Sequence, residues 1–214
     1  MAEIVPSLLS ADFSRLEAEI RAIEKAGATK LHLDIMDGHF VPNITFGPFI
    51  IKAIRKLTKL QLETHLMIEN ADIYLDNFIG AGSDTVMVHV ESSDYVIRDL
   101  TYIRNRGVKA GLVINPPTAF SEIETYFPYL DHLLIMTVNP GFGGQSMLED
   151  TLKKVTLAKK YQKQHNFIIE IDGGVNMDTI DKAAATKVDL LVAGSAVFKN
   201  SDIGAAFKNL SAKL

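Results

Sequence analysis

The chain has 214 residues, 47% of them hydrophobic and 22% charged, and a formal net charge of −4 at pH 7. This is the composition of an ordinary globular protein, and the charge offers no general attraction to nucleic acid or to anionic lipid. Because the chain has no cysteine, disulfides and thiolate catalysis are excluded, and no apolar run approaches the roughly 18 residues of a membrane span. We therefore expect one domain over residues 1–214, located in the cytoplasm, with neither nucleic acid nor membrane as a partner.

Strand-like apolar runs recur at regular intervals, and segments with helical spacing of apolar residues lie between them. The eight runs begin at Ile4, Leu31, Leu60, Thr85, Val108, His132, Phe167 and Leu190. Their starts are 23 to 35 residues apart, about the length of a strand plus a crossover helix. The pattern predicts an α/β fold, a single-domain (β/α)₈ TIM barrel. A doubly wound open sheet is the alternative, but it would more often have fewer strands, and no GxGxxG follows the first run.

Polar side chains stand at the predicted carboxyl ends of several strands, where barrels of this kind carry their active sites. They include His32 and Asp34 on strand 2, His65 on strand 3 and Asp172 on strand 7. Two imidazoles and two carboxylates form a suitable ligand set for one divalent metal ion. Zn²⁺ is the first choice, while Fe²⁺, Mn²⁺ and Co²⁺ accept the same ligands. Any one of these residues could be an ordinary core histidine or a salt-bridged acid, but the set of four favours a metal site.

The other histidines are interpreted by position. His132 begins strand 6 at the far end of the barrel and His165 ends a lysine-rich helix, so both are expected to be structural. His39 follows strand 2 and His89 points inward beside the site, so each either supports the site or has no role in it.

The two aspartates suggest a reaction. Strands 2 and 7 lie three places apart in an eight-strand ring, so Asp34 and Asp172 should face each other across its mouth. Carboxylates on both faces of a flat intermediate can remove a proton from one side of a carbon and return it on the other, which inverts the stereocentre. A metal on the adjacent carbonyl oxygen would stabilise the enediolate that forms.

Methionines and glycine-rich loops complete the predicted mouth. Met36, Met67 and Met136 fall at inward strand ends, where they are either core filler or a water-poor wall beside the reacting carbon. Three small-residue loops follow strands 6, 7 and 8: NPGFGGQS (139–146), DGGVN (172–176) and AGSAVF (193–198). Such adjacent loops favour a phosphate site, so the expected substrate is a small-molecule sugar phosphate.

Seven motifs, in order from Pro6 to Phe198, resemble those of the ribulose-phosphate 3-epimerase family: PSLLSADF, LDIMDGHFVPNITFGP, HLMIE, VHVE, IMTVNPGFGGQS, IDGGVN and VAGSAVF. The resemblance implies a (β/α)₈ barrel that inverts C3 of D-ribulose 5-phosphate to give D-xylulose 5-phosphate, often as a homo-oligomer. It also implies a metal held by His32, Asp34, His65 and Asp172, with both aspartates as acid/base groups. The substrate-binding residues that we expect are Ser7, Met36, Met67, Met136, Gly141, Phe142, Gly143, Gly144, Gly173, Gly174, Gly194 and Ser195. The chain departs from the family pattern at Glu63, Thr64 and the segment AATKVD, none of which is a site position.

Other activities stay open. D-allulose-6-phosphate 3-epimerases share the fold, metal and acids, but their first loop and the residue at Gly174 differ from SADF and DGG here. Phosphosugar decarboxylases and synthases place a lysine between acids, where this chain has Ile35 and Met36. A metal-dependent barrel hydrolase has little need for acids on opposite faces, and a buried metal shell argues against a non-catalytic sugar-phosphate-binding protein.

Overall fold

Eight parallel strands form one sheet in the computed structural model, which describes residues 2–214. The strands are β1 (Glu3–Pro6), β2 (Lys30–Met36), β3 (Gln61–Met67), β4 (Thr85–His89), β5 (Lys109–Ile114), β6 (His132–Met136), β7 (Ile168–Asp172) and β8 (Leu190–Ala193). The strand order is β1-β8-β7-β6-β5-β4-β3-β2, and a bridge between Ser7 and His32 joins the two ends. The predicted (β/α)₈ barrel is therefore confirmed, while Met1 of the domain predicted over residues 1–214 lies outside the described residues.

Helices lie between and after the strands. They are α1 (Leu16–Ala26), α2 (Pro48–Leu57), α3 (Leu75–Ala81), α4 (Val96–Asn105), α5 (Leu152–His165), α6 (Ile180–Ala185), α7 (Ser195–Phe198) and α8 (Ile203–Ser211). Local chemistry sets several of their starts. Pro48, whose fixed φ suits a first turn, begins α2, and the Asp202 carboxylate accepts a hydrogen bond from the Ala205 N–H at the start of α8. None of the helices within residues 2–214 combines the length and the apolar character of a membrane span.

The connection between β5 and β6 departs from the regular pattern. It contains two 3₁₀ helices, Phe120–Glu122 and Glu124–Tyr129, instead of an α-helix. Pro116 and Pro117 open this segment and Pro128 lies inside its second helix. Because proline has no N–H and clashes with the preceding turn, the segment cannot hold a regular α-helix. An α-helix follows each of the eight strands except β5, and the barrel closes without a helix at that position.

The two faces of each strand serve different surroundings. On β2, Leu31, Leu33 and Ile35 are buried in the large cluster between sheet and helices. The opposite face points into the barrel, where Met87, Val113, Leu134, Met136 and Val138 form one apolar cluster and Val5, Leu190 and Val192 another. The inward residues of β2, β3 and β7 are instead polar, apart from Met36 and Met67 at the ends of β2 and β3. The barrel therefore has an apolar side and a polar side, and the polar side carries the candidate site.

Candidate active site

The four predicted metal ligands meet at the carboxyl end of the barrel. Asp34 and His65 are register partners on β2 and β3, His32 lies one inward position below Asp34, and Asp172 ends β7. One ligand atom from each residue lies within 4.8 Å of the others. Both histidine side chains are fully buried, whereas the Asp34 and Asp172 side chains are 5% and 18% exposed. The aspartates thus border the open mouth and the histidines lie beneath it.

The spacing of these atoms fits a metal ion. A tetrahedral site with bonds of about 2.0–2.2 Å places its ligand atoms about 3.3–3.6 Å apart. His32 Nε2 and His65 Nδ1 are 3.3 Å apart, and each is 3.3–3.4 Å from Asp34 Oδ1 and 3.7–3.8 Å from Asp172 Oδ2. The set of two imidazole nitrogens and two carboxylate oxygens also has the chemistry of a divalent transition-metal site.

The two carboxyl groups have different pKa values because their surroundings differ. Burial works to raise the pKa of Asp34, but the charge and hydrogen bonding of His32 and His65 outweigh it and hold that pKa far below the ordinary value. Burial and the nearby charge of Asp34 together raise the pKa of Asp172 to about 7. The pair can therefore hold one proton, on Asp172, near neutral pH.

The two histidines of the ligand set also have different pKa values. Burial works to lower the pKa of His32, but the charges of Asp34, Glu170 and Asp172 raise it to about 10. Burial lowers the pKa of His65 to about 4, although its contact with Asp34 works in the opposite direction. In the metal-free protein His32 thus carries the positive charge and His65 is neutral.

All twelve predicted substrate-binding residues line one open cavity above the ligand set, together with Asp34 and Asp172. Ser7 Oγ donates a 2.5 Å hydrogen bond to Asp34 Oδ2, which fixes one oxygen of that carboxylate. Met36, Met67 and Met136 are buried and line the same cavity as the two carboxyl groups.

The glycine-rich loops pack too closely for larger residues at two positions. Gly174 has φ of +69°, and a Cβ there would lie 2.4 Å from the Met147 backbone nitrogen. Gly173 has φ of +125°, and its Cβ would lie 2.5 Å from Val138. Since L residues rarely adopt these conformations and no space exists for a side chain, the loop after β7 requires glycine at both positions.

Several residues that were not predicted to bind substrate also line the cavity. They are Leu9, Ser10, Val138, Pro140, Gln145, Val175, Asn176 and Val192. A Cβ on Gly143 or Gly194 would lie 3.4 or 2.9 Å from Ser10 Oγ, so this hydroxyl sits between two of the loops. Lys199 Nζ is similarly 3.9 Å from a Cβ built on Gly144. Most of these residues are sequence neighbours of the predicted ones, and that proximity was the available signal.

A second group of charges lies deeper in the barrel. Glu170 Oε2 is 2.9 Å from His132 Nε2 and Glu170 Oε1 is 3.8 Å from His32 Nδ1, while Lys30 Nζ is 3.0 Å from Glu63 Oε1. Both glutamate side chains are fully buried. His132 lies at the far end of the barrel, as expected, but it is part of this buried ionic cluster. The sequence pattern gave no sign that Glu63 and Glu170 approach each other.

Comparisons with known proteins identify the family of the chain. Residues 3–198 match the model of the family described as "Ribulose-phosphate 3 epimerase family". The ribulose-phosphate 3-epimerase of Bacillus subtilis is 47% identical over 205 residues, covering 94% of each chain, and that of Synechocystis is 46% identical over 199 residues, covering 91% of this chain and 86% of the relative. Among solved structures, 3-hexulose-6-phosphate synthase from Salmonella typhimurium superposes with a TM-score of 0.74 at 16% identity, covering 99% and 98% of the two chains, which shows a shared fold.

The match across nearly the whole chain, the level of identity to these relatives and the barrel with its paired aspartates lead to one conclusion: the chain belongs to the ribulose-phosphate 3-epimerase family and is an epimerase.

Proposed function

We propose that the protein interconverts D-ribulose 5-phosphate and D-xylulose 5-phosphate by inverting C3, with Asp34 and Asp172 as the two acid/base groups. The observation that carries this proposal is the pair of carboxyl groups that reach the cavity from β2 and β7, each with one oxygen within 4.8 Å of the other's. The names of the relatives from Bacillus subtilis and Synechocystis support the choice of substrate.

The different proton affinities of the two carboxyl groups support the division of work. Asp34, ionised and held by Ser7 Oγ, removes the C3 proton from one face of the bound ketose. Asp172, whose pKa is raised to about 7 in the metal-free protein, delivers a proton to the opposite face, and the roles reverse in the return direction. Each group is expected to contribute about 10²- to 10⁴-fold to the rate.

His32, Asp34, His65 and Asp172 would hold one divalent metal ion, with Zn²⁺ the first choice on their donor chemistry and Fe²⁺, Mn²⁺ or Co²⁺ as alternatives. When bound, the metal would act as a Lewis acid on the substrate oxygens next to C3 and so lower the pKa of the C3 proton. The buried methionines exclude water from the same region, which strengthens the electrostatic interactions there.

The three loops are proposed to bind the phosphate. Backbone N–H groups of Gly143, Gly144, Gly174 and Gly194 can face an anion closely because no side chain intervenes. The hydroxyls of Ser195 and Ser10 and the Lys199 amino group stand beside these glycines and would add hydrogen bonds and charge. Gly141, Phe142 and Gly173 would line the remainder of the phosphate end.

Incubation of the protein with D-ribulose 5-phosphate in D₂O tests the proposal. The expected product is D-xylulose 5-phosphate with deuterium at C3, observed by NMR, because the delivered proton comes from a carboxyl group that exchanges with solvent. A sample without protein is the control. Absence of turnover, full retention of hydrogen at C3, or a higher kcat/KM with D-allulose 6-phosphate would contradict it.

We also propose that the protein is a homo-oligomer. Ile44 and Phe49, on the segment that follows β2, and Ile73, on the next crossover, are 68–75% exposed, and we propose that a second copy of the chain covers these apolar side chains. The molar mass measured by light scattering should be a multiple of the chain mass, and Phe49→Asp should lower it. A wild-type monomer would contradict the proposal.

The cytoplasmic location and the absence of nucleic-acid and membrane partners stay predictions.

A further inference from the structure

The side of His65 that faces away from the ligand set contacts a second histidine. His65 Nδ1 points to Asp34 and His32, and on the other edge of the ring Nε2 lies 2.8 Å from His89 Nε2. His89 Nδ1 lies in turn 3.1 Å from Glu91 Oε2. The chain of contacts therefore runs from the ligand set through His65 and His89 to Glu91.

The chemistry of Glu91 fixes where the protons lie along this chain. Its other oxygen, Oε1, accepts hydrogen bonds from the Asn115 N–H (2.8 Å) and from Thr118 Oγ1 (2.5 Å). A carboxylate only accepts, so His89 must carry its proton on Nδ1 and present a lone pair on Nε2. His65 Nε2 then donates to that lone pair, which leaves His65 Nδ1 unprotonated and facing the ligand set.

We propose that His89 and Glu91 are positioning residues that hold His65 in the tautomer able to bind a divalent metal through Nδ1. The inference rests on the proposed metal role of His65. Histidine ligands generally donate their second ring N–H to a fixed acceptor, and here a second imidazole extends that interaction to a carboxylate on the next segment of the chain.

The surroundings make the arrangement rigid. The His65 and His89 side chains are fully buried, and their rings lie edge to edge, with centroids 5.0 Å apart and planes inclined by 24°. The Phe40 ring covers His89 at 4.7 Å, while the Glu91 side chain is 23% exposed in a surface hollow. Since water does not reach the two imidazoles, a wrong tautomer cannot be relieved by solvent. Asp34 Oδ1, 3.3 Å from His65 Nδ1, favours a proton on that nitrogen, and the shorter 2.8 Å contact of His65 Nε2 with His89 opposes it, so Glu91 decides the tautomer through His89.

We expect Glu91→Gln to change which ring nitrogen carries the proton in both His89 and His65. The Asn115 backbone N–H is a fixed donor, so the glutamine oxygen must stay at the Oε1 position and its NH₂ group must face His89 Nδ1. His89 then accepts at Nδ1 and donates from Nε2, and His65 is forced to carry its proton on Nδ1, where it blocks metal binding. The variant keeps the shape of the side chain and both contacts to residues 115 and 118.

The first test is Zn²⁺ affinity, measured by competition with a chromophoric chelator. Glu91→Gln should weaken Zn²⁺ binding by about 10- to 100-fold, the usual effect of losing such a partner. Glu91→Ala should weaken it less, because His89 is then free to adopt either tautomer. A purely structural role predicts the opposite order, since alanine loses every contact that glutamine retains. Glu69→Gln, an exposed neighbour in the same hollow, is the charge-matched control and should leave the affinity unchanged.

The second test needs no metal. In ¹⁵N-edited NMR spectra of the metal-free protein, His65 should be protonated on Nε2 and His89 on Nδ1, and Glu91→Gln should reverse both. The opposite tautomers in the wild type, or unchanged tautomers and unchanged Zn²⁺ affinity in Glu91→Gln, would overturn the inference. A wild-type protein that shows the expected tautomers but binds no divalent metal would instead overturn the proposed metal site.

Discussion

At the scale of single residues, Asp34 and Asp172 have the same side chain in different surroundings. Asp34 faces two buried histidines and Ser7, which stabilise its charge. The pKa of Asp172 is instead raised by its partial burial and by the charge of Asp34. Neighbouring acids whose proton affinities are driven apart in this way can work as one acid and one base. The pairing, more than either residue alone, is the basis of the proposed reaction.

Separate asparagine variants should divide the reaction into halves. Asp34→Asn and Asp172→Asn should each lower epimerisation by at least about 10²-fold, because an amide cannot carry the proton. The acid that remains can still remove and return a proton on its own face. Each variant should therefore exchange deuterium from D₂O into C3 of one substrate epimer without inverting it, and the two variants should label different epimers, as read by NMR.

Asp150→Asn serves as the control for this prediction. Asp150 is exposed, pairs with Lys153 and lies outside the cavity, so its variant should turn over normally. Normal epimerisation by either active-site variant would remove that aspartate from its proposed role, and labelling of the same epimer by both variants would contradict the two-face mechanism.

Many residues of the candidate site could be predicted from the sequence because they lie close together on one strand or directly after it. His32 and Asp34 alternate on β2, and Gly173 and Gly174 follow Asp172 directly, so local sequence predicted their direction. The contact of Glu170 with His32 depends on the register of separate strands and on side-chain rotation. The same is true of the contacts that join His65 to His89 and His89 to Glu91. Neither is visible in a single sequence without the barrel.

At the scale of elements, the barrel depends on close packing between neighbouring strands. Met87 on β4 and Gly111 on β5 are register partners, and a Cβ on Gly111 would lie 2.2 Å from Met87 Cγ. The glycine is therefore needed for space, since its φ is not in the left-handed region. The alternating pattern of β5 predicted the strand but not this contact, which is a property of the pair.

Gly111→Ala should destabilise the protein by about 1–3 kcal/mol, the usual effect of adding a methyl group to a packed interior. The measurement is the free energy of unfolding in urea. In a Met87→Ala background the same change should cost less, because the atom that it strikes is absent. Gly80→Ala in α3, where a Cβ meets nothing within 4 Å, is the control and should be neutral or stabilising. An equal cost in both backgrounds would show that the clash with Met87 is not the cause.

Helix positions were predictable from the same periodicity, except where other signals competed. α5 does not follow the NPGFGGQS loop directly, because a 3₁₀ turn at Glu149–Thr151 precedes it. Met147 is buried against Gly174, so the chain stays extended there. The prolines of the β5–β6 connection likewise replace a helix that the average spacing predicts.

At the scale of the whole molecule, the deep ionic cluster connects folding to pH. Glu63 and Glu170 bring two carboxyl groups into the barrel interior beside Lys30 and His132. Burial and the neighbouring charge of Glu170 raise the pKa of Glu63 to about 7, although His132 and Lys30 work to lower it. The native protein therefore holds a proton on Glu63 over a range of pH in which the unfolded chain has released it.

The sign of the resulting pH dependence follows from that shift. The ordinary pKa of Glu63 is 4.5, so the stability due to its protonated form is complete below about pH 4.5 and is lost as the pH rises through 7. At about 1.4 kcal/mol per pH unit over the 2.5 units between 4.5 and 7, the loss is at most about 3.5 kcal/mol. Glu63→Gln cannot ionise. Its free energy of unfolding should therefore rise relative to the wild type between pH 5 and pH 8, as measured by urea titration of metal-free protein.

The change with pH in the difference between the two unfolding free energies, not the absolute stability of the variant, carries this prediction, because Glu63→Gln also alters the 3.0 Å contact with Lys30. The attraction of Lys30 for ionised Glu63 is part of what sets the Glu63 pKa, and it grows only as Glu63 ionises. Glu17→Gln, on an exposed side chain beside Arg21, should give a curve parallel to the wild type. A constant difference for Glu63→Gln from pH 5 to pH 8 would mean that Glu63 is already ionised in the folded barrel, with Lys30 and His132 compensating its charge.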